Sequence, residues 1–302
     1  MKQTSFLILV IGPTGVGKTD LCLNLAKKFD TEILSCDSRQ FYREMEIGTA
    51  KPSAEILKQV PHHFINSLSI KEDYDVRKYE KEALNVLNQL FVQKKIVIMT
   101  GGSGLFADAI SHGLDEMPEI PKKFREEVIR DFDQRGLKFL QEELARIDPD
   151  YFAQVDQKNP QRLMRGIEVV RATGKPFSSF RKKVKATRPF QIIKIGLFRD
   201  REELYERIDQ RMDEMLQQGL LEEAQRLFSL RHLNALQTVG YQEIFGFLEG
   251  KYPWDEAVRL LKRNSRRYAK RQLTWFRKDP EVHWFVPSEQ AKIEEFISSQ
   301  IF

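Results

Sequence analysis

The chain has 302 residues, enough for one large core or two modest ones. Hydrophobic residues make up 41% and charged residues 31%, an ordinary soluble balance, and no apolar run reaches the roughly 20 residues that span a bilayer. Two cysteines, Cys22 and Cys36, without a C-x-x-C pair exclude a disulfide framework and a zinc site and point to a cytosolic protein, while the net charge of +5 matters less than its distribution.

The apolar run 6–11 is too short for a signal peptide. It breaks into Gly12-Pro13-Thr14-Gly15-Val16-Gly17-Lys18-Thr19 and then turns amphipathic. This is G-x-x-x-x-G-K-[ST] between a strand and a helix, where backbone N–H groups cradle phosphates, Lys18 adds a point charge and Thr19 can hold Mg²⁺. Whose phosphates these are is open at this point, because such loops serve hydrolysis in some chains and hold a leaving group in others.

Residues 31–37, 95–102 and 191–198 read as further buried strands, with helical patterns such as 75–91 between them. Alternation of this kind predicts an α/β fold, a P-loop NTPase-like parallel sheet flanked by helices. Residues 115–188 open with a Pro-rich stretch, carry charged helical patterns and contain no strand of the parallel type. A helical insertion at 115–188 is therefore expected within a core formed by 1–114 and 189–302. In the helix that follows residue 198, Leu204, Ile208, Met212 and Met215 form a core stripe and Gly219 a C-cap. The last long helix, about 255–277, is strongly basic: from Val258 to Lys278 there are nine Lys or Arg residues and no acid.

A P-loop ATPase normally ends a neighbouring strand in an Asp that helps hold Mg²⁺. Here 95–102 ends in Thr-Gly-Gly-Ser, and the acid, Asp37, ends the second strand. That puts Asp37 at the carboxyl edge of the sheet, on a strand expected next to the phosphate-loop strand. A turn residue is the bland reading of Asp37; a general base is the functional one. Gly101-Gly102-Ser103-Gly104 adds backbone and a hydroxyl to the same mouth.

In combination, "GPTGVGKT" (12–19), "DSRQFY" (37–42), "MEIGTAKP" (45–52), "PHHFIN" (61–66), "GGSGLF" (101–106), "NPQRLMRGIEV" (159–169), "GYQE" (240–243) and "KRQLTWFR" (270–277) resemble the tRNA dimethylallyltransferases, also called tRNA isopentenyltransferases. The resemblance covers nearly the whole chain. It implies transfer of a dimethylallyl group from its diphosphate to N6 of the adenosine 3′ of the anticodon, with Mg²⁺ as cofactor. The anticodon stem-loop of tRNA and dimethylallyl diphosphate would then be the partners of a cytoplasmic monomer with no membrane contact.

Matched position by position, the resemblance implies Asp37 as the base for the adenine amine, with Asp37, Ser38, Arg39 and Gln40 contacting the target nucleotide. Gly12 to Thr19 would hold the donor diphosphate, with Thr19 on the metal and Arg211 aiding diphosphate binding. Ser103 would act in catalysis and lie near the tRNA, as would Arg125, Gln161, Arg162, Leu163, Met164 and Arg165. Two departures from the family pattern, Phe106 for tyrosine and Gln242 for arginine, touch neither the donor loop nor Asp37.

The physics of an extruded single-stranded base supports this reading, since cations on phosphates and aromatic stacking supply the affinity. On the basic helix, Leu261, Tyr268 and Trp275 recur every seven residues and are expected to be buried, leaving Arg266, Arg267, Lys270 and Arg271 to face RNA. Three alternatives remain open from the residues alone: a P-loop kinase of small metabolites, an isopentenyltransferase of free adenylate, and an RNA-binding protein whose site has decayed.

Overall fold

The computed structural model describes residues 4–182 and 185–301. Its centre is β1 (Phe6–Ile11), six consecutive apolar residues that are all buried. Phe6, Ile8 and Val10 pack on one side of the sheet; Leu7, Leu9 and Ile11 pack on the other. A strand covered on both faces has no polar side to show, which is why its sequence runs apolar without alternation.

The chain continues through α1 (Lys18–Lys28), β2 (Ile33–Ser35), α2 (Ala54–Gln59), β3 (His62–His63), α3 (Val76–Leu90), β4 (Ile96–Gly101) and α4 (Gly104–His112). After α5 (Lys122–Ile147), α6 (Pro149–Phe152) and α7 (Pro160–Thr173) come β5 (Gln191–Leu197), α8 (Arg201–Gln217), α9 (Leu220–Leu227), α10 (Tyr241–Leu248), α11 (Trp254–Phe276), β6 (His283–Phe285) and α12 (Gln290–Ile301). All strand pairs in the sheet are parallel, in the order β3-β2-β4-β1-β5-β6.

This order corrects the expected position of Asp37. β2 is not the neighbour of β1, because β4 lies between them, with Ile33 opposite Ile98 and Ile8 opposite Ile98 from the other side. The carboxyl edge of β4 therefore has to be thin if Asp37 is to reach the phosphate loop. At Gly101 a Cβ would stand 2.6 Å from Cys36 Sγ and 2.8 Å from the Asp37 backbone nitrogen, closer than atoms pack. The glycine pair is thus a spacing device between two strand ends.

Two compact units divide the chain, Met1–Ser111 with Thr187–Phe302, and His112–Ala186. In the first, α1, α8, α11 and α12 contribute to one face of the sheet, α3 and α4 to the other, and α8 to α11 close a further apolar cluster around Met212, Leu220, Tyr241 and Phe245. Leu204, Ile208, Met212 and Met215 are the buried residues of α8, and Gly219 follows its end in the left-handed conformation that a C-cap glycine takes.

The second unit is helical, with its ends joined by the Ala186 N–H donating to the His112 carbonyl, 2.7 Å away. α5 is kinked at Gly136, whose φ of 73° breaks the helical run. α7 starts at Pro160 under an Asn159 cap and buries Leu163, Met164 and Ile167 against Leu140 and Leu144.

Gly101→Ala tests the spacing argument. Forcing a methyl group against a neighbouring strand end typically costs about 1–3 kcal/mol. The unfolding midpoint in denaturant should fall accordingly; an unchanged midpoint would show that the Cys36–Asp37 segment steps aside freely.

Candidate active site

At the carboxyl edge of the sheet lies a cleft of about 480 Å³, lined among others by Thr14 to Asp20, Asp37, Gln40, Gly48 to Lys51, Arg211, Tyr268 and Gln272. The phosphate loop forms its floor. Gly17, at φ 108°, turns the chain into α1 in a left-handed conformation that only glycine adopts without strain. Thr19 thereby lands in the first turn, where the N–H groups of the helix start are unpaired within the helix. Lys18 Nζ donates to the carbonyls of Gly12 (2.9 Å) and Pro13 (2.8 Å), while Arg207 Nε donates to the Gly15 carbonyl and Arg199 Nε to that of Val16, each at 2.9 Å.

Burial dominates the electrostatics of this cleft. It pulls Lys18 down to about 8, opposed by the Asp37 carboxylate and assisted by the Arg211 guanidinium. Arg211 is likewise lowered, first by burial, with Asp37 the largest opposing influence. Its NH1 donates to Thr14 Oγ1 at 3.3 Å. Asp37 thus faces both cations. Its Oδ1 accepts the Arg39 N–H (3.1 Å), so the bland reading of a turn residue is satisfied by one oxygen while the carboxylate also serves the cleft.

The rest of the "DSRQ" segment works inward as much as outward. Ser103 Oγ accepts the Ser38 N–H and shares a hydrogen bond with Ser38 Oγ, both 3.0 Å. Arg39 NH1 donates to the Asn234 carbonyl at 3.2 Å. Gln40 Nε2 donates to the carbonyls of Thr49 and Ala50, each 3.2 Å away.

Sequence reasoning missed several residues. Tyr268, expected in a buried stripe, is only half-buried and lines the cleft. Burial first, and then Asp37, push its phenol up to about 12, and Ser103 lies within its hydrogen-bond reach. Gln272 was within a quoted motif but unassigned. Its Oε1 accepts the Thr14 N–H and its Nε2 donates to the Gly102 carbonyl, both 2.9 Å. The expected stripe of Leu261, Tyr268 and Trp275 is corrected to Ala257, Leu261, Ser265, Ala269, Gln272 and Phe276. A straight helix repeats at 3.6 residues, so a seven-residue spacing drifts off the buried face.

The basic helix also splits. Arg266 NH1 donates to both carboxylate oxygens of Asp209 (2.6 and 2.5 Å), Lys262 pairs with Asp213 and Arg259 with Glu256. Two acids on α8, invisible in the count along α11, take up Arg266 and Lys262, and Glu256 in the first turn of α11 itself takes up Arg259. Arg267, Lys270 and Arg271 are exposed.

In the helical unit, Glu168 is buried and gathers three residues of the predicted set. It accepts from Arg125 NH1 (3.1 Å) and from Arg165 NH1, and Arg125 NH2 donates to Gln161. Arg162 is exposed. Leu163 and Met164, expected at an RNA surface, are corrected to core positions; they are 0% and 2% exposed because they stand on the apolar face of α7 with Ile167.

A sequence model of the IPP transferase family matches residues 40–279. The chain is 52% identical to a protein named tRNA dimethylallyltransferase from Cytophaga hutchinsonii, covering 98% of this chain and 97% of that one. It is 46% identical to tRNA dimethylallyltransferase 1 of Bacteroides thetaiotaomicron, covering 97% and 96%. Among solved structures it resembles the full-length tRNA isopentenylpyrophosphate transferase of Bacillus halodurans, with a TM-score of 0.73, 34% identity and coverage of 98% and 97%. It also resembles a eukaryotic dimethylallyltransferase acting on tRNA, with a TM-score of 0.81, 25% identity and coverage of 98% and 80%.

The lowered Lys18 has a measurable sign. Below about pH 8 its ammonium is present before an anion arrives; above that value the anion must bring a proton with it. The part of inorganic diphosphate affinity that Lys18→Ala removes should therefore fall between pH 8 and pH 9.5, accompanied by proton uptake. Calorimetry of wild type and variant in two buffers of different ionisation enthalpy reads this, and a Lys18 contribution constant to pH 9.5 would refute it.

Proposed function

The chain belongs to the IPP transferase family, and on that premise we propose how its residues divide the family's reaction, transfer of a dimethylallyl group from dimethylallyl diphosphate to N6 of adenosine 37 in tRNA. The observation that carries the reading is the convergence of Lys18, Arg211 and Asp37 on one cleft floored by the phosphate loop.

The donor diphosphate occupies the loop Gly12 to Thr19, where N–H groups of the α1 start and the two buried cations meet the charge that grows on the leaving group. Fixed cations in a desolvated site do this without reorganising, which makes them worth more than in water. The oxygen donors there suit Mg²⁺, which prefers hard ligands and keeps several waters. The two nearby thiols, Cys22 and Cys36, are both pushed up by burial and stay neutral, so they do not compete for a metal. Thr19 would hold the ion, and bound there it would neutralise part of the departing diphosphate's charge.

The adenine amine is a weak nucleophile because its lone pair is delocalised into the ring. Asp37 hydrogen-bonds the amine, directs it at the allylic carbon and takes its proton as the new bond forms. Ser103 and Ser38, coupled hydroxyls beside it, give polar contacts to the extruded base, and Tyr268 stands against both Asp37 and Ser103. Extruding a single-stranded base costs a few kcal/mol at most. Exposed Arg267, Lys270 and Arg271 on α11, and in the helical unit exposed Arg162 with the net positive charge left where Arg125 and Arg165 share the one Glu168 carboxylate, offset that cost on RNA phosphates.

Among the described residues no helix is long and apolar enough to cross a membrane. Two free, buried thiols support a cytoplasmic setting.

Incubation with tRNA and dimethylallyl diphosphate, followed by nucleoside mass spectrometry, tests the whole reading. Asp37→Asn keeps the shape and the Arg39 contact but cannot take a proton. General-base help is worth ~10²–10⁴-fold, so single-turnover transfer at saturating substrates should slow by that factor. A rate within a few-fold of wild type would return Asp37 to the role of a turn residue.

RNA binding carries its own test. Each phosphate contact contributes a slope of about −0.7 to −0.9 in the plot of log affinity against log salt. The double variant Arg267→Gln, Arg271→Gln should flatten the slope by about two contacts, whereas Arg266→Gln, whose charge Asp209 already holds, should change it much less.

A further inference from the structure

Within the segment Glu46–Lys51, Gly48 to Lys51 line the cleft, and the segment is tied down by a single buried acid. Its anchor is Glu223 on α9, only 2% exposed. Glu223 Oε2 accepts the N–H groups of Glu46 (3.0 Å) and Ile47 (2.9 Å), and Oε1 accepts the Gly48 N–H (3.0 Å) and the Tyr241 hydroxyl (2.6 Å). The loop also lies flat on the Tyr241 ring: a Cβ at Gly48 would stand 2.6 Å from ring carbons. Beyond Gly48 the carbonyls of Thr49 and Ala50 accept from Gln40 Nε2. Gln40 Oε1 in turn accepts from Ser35 Oγ (3.3 Å), and Ser35 Oγ accepts the Asp37 N–H (3.2 Å).

We propose that Glu223 is a positioning residue for the transfer: it fixes Glu46–Lys51 as one wall of the donor cleft and, through Gln40, holds the turn that carries Asp37. Four donors converge on its two oxygens, a demand that only a carboxylate meets. An amide of the same shape offers one accepting oxygen and turns an NH₂ group against the other pair of donors. Buried polar groups left facing one another in this way carry the full penalty of an unmade hydrogen bond. The wall then loses either the Glu46–Ile47 pair or the Gly48–Tyr241 pair, and Gln40 loses a fixed partner.

The proposal rests on the transferase reading, so the experiment separates the two. Glu223→Gln is compared with wild type in steady-state transfer, in calorimetric binding of inorganic diphosphate, and in thermal unfolding. The expected result is a donor KM raised about tenfold, roughly the worth of one buried hydrogen bond, with kcat reduced less and tRNA affinity retained. A double-mutant cycle with Gln40→Ala should be non-additive, because both substitutions release the same wall. Glu223→Asp, which keeps two accepting oxygens, should recover part of the loss, and it serves as the second variant should Glu223→Gln fold poorly.

Unchanged KM and kcat in Glu223→Gln beside an active wild type would overturn the inference and leave the transferase reading standing. A lowered melting point with unchanged KM would overturn it too, reducing Glu223 to a fold residue. An inactive wild type would count against the transferase reading instead, and diphosphate binding by wild type and Glu223→Gln would still decide the wall: equal affinities would overturn it.

Discussion

One buried amide sets the geometry on which the cleft depends. Gln272 accepts the Thr14 N–H with its oxygen and donates to the Gly102 carbonyl with its nitrogen, so a single rigid plane spans the phosphate loop and the end of β4. A carboxylate there would face the Gly102 carbonyl with no proton to give, and an ammonium would face the Thr14 N–H with no lone pair. The amide also fixes the register of α11. Four residues earlier, Tyr268 comes to the side of Asp37; three residues later, Trp275 packs over Gly104 and gives its Nε1–H to Asp108 at 2.9 Å. Successive residues on a helix differ by about 100° in direction, so the face that docks at the cleft forces Arg267, Lys270 and Arg271 toward solvent. The cleft lining and the exposed cations are two sides of one helix held in one phase.

That docking has an electrostatic consequence. Lys18 and Arg211 lose hydration and each is lowered by it, with Asp37 the largest influence holding each in its charged form. Both cations are therefore under-neutralised in a dry cleft. On the proposed reading, a diphosphate arriving there would supply the missing negative charge, and its charge would grow further as the allylic carbon–oxygen bond breaks. The same arrangement would serve hydrolysis badly, since no second carboxylate on β4 is placed to orient water: that strand ends in Thr100, Gly101 and Gly102. Room at the end of β4 goes to the approach of Asp37, the acid that follows β2.

Much of this was legible in the sequence, for identifiable reasons. The strands at 6–11, 95–102 and 191–198 announce themselves because burial on both faces demands unbroken apolar runs. The phosphate loop is legible because glycine, lysine and threonine at fixed spacing have few other uses. β3 and β6 were not legible: two- and three-residue edge strands carrying histidine leave no periodic trace. Position in the sheet was also hidden, since nothing in the order of elements says that β4 inserts between β1 and β2. Residues acting through a partner distant in sequence were the hardest. Glu223 and Glu168 sit on amphipathic helices where an acid reads as solvated, and only tertiary contact reveals that each gathers several donors. The basic count on α11 misled for the same reason, because Asp209 and Asp213 belong to another helix.

The two departures from the family motifs show how location decides the weight of a substitution. Phe106 follows the Ser103 hydroxyl by three residues, but its ring lies with Phe41 and Tyr79, at centroid distances of 5.5 and 5.1 Å, in the aromatic cluster behind the "DSRQFY" segment. A phenol oxygen lost at that position is lost from this aromatic packing. The hydroxyl at Ser103 is kept and is tied to Ser38. Gln242 is exposed and donates to Gln237 Oε1 at 2.8 Å, so it bears on a surface loop. Neither Phe106 nor Gln242 lines the cleft that holds Lys18, Arg211 and Asp37. The two positions thus lie apart from the cleft in which burial lowers Lys18 and Arg211 beside Asp37.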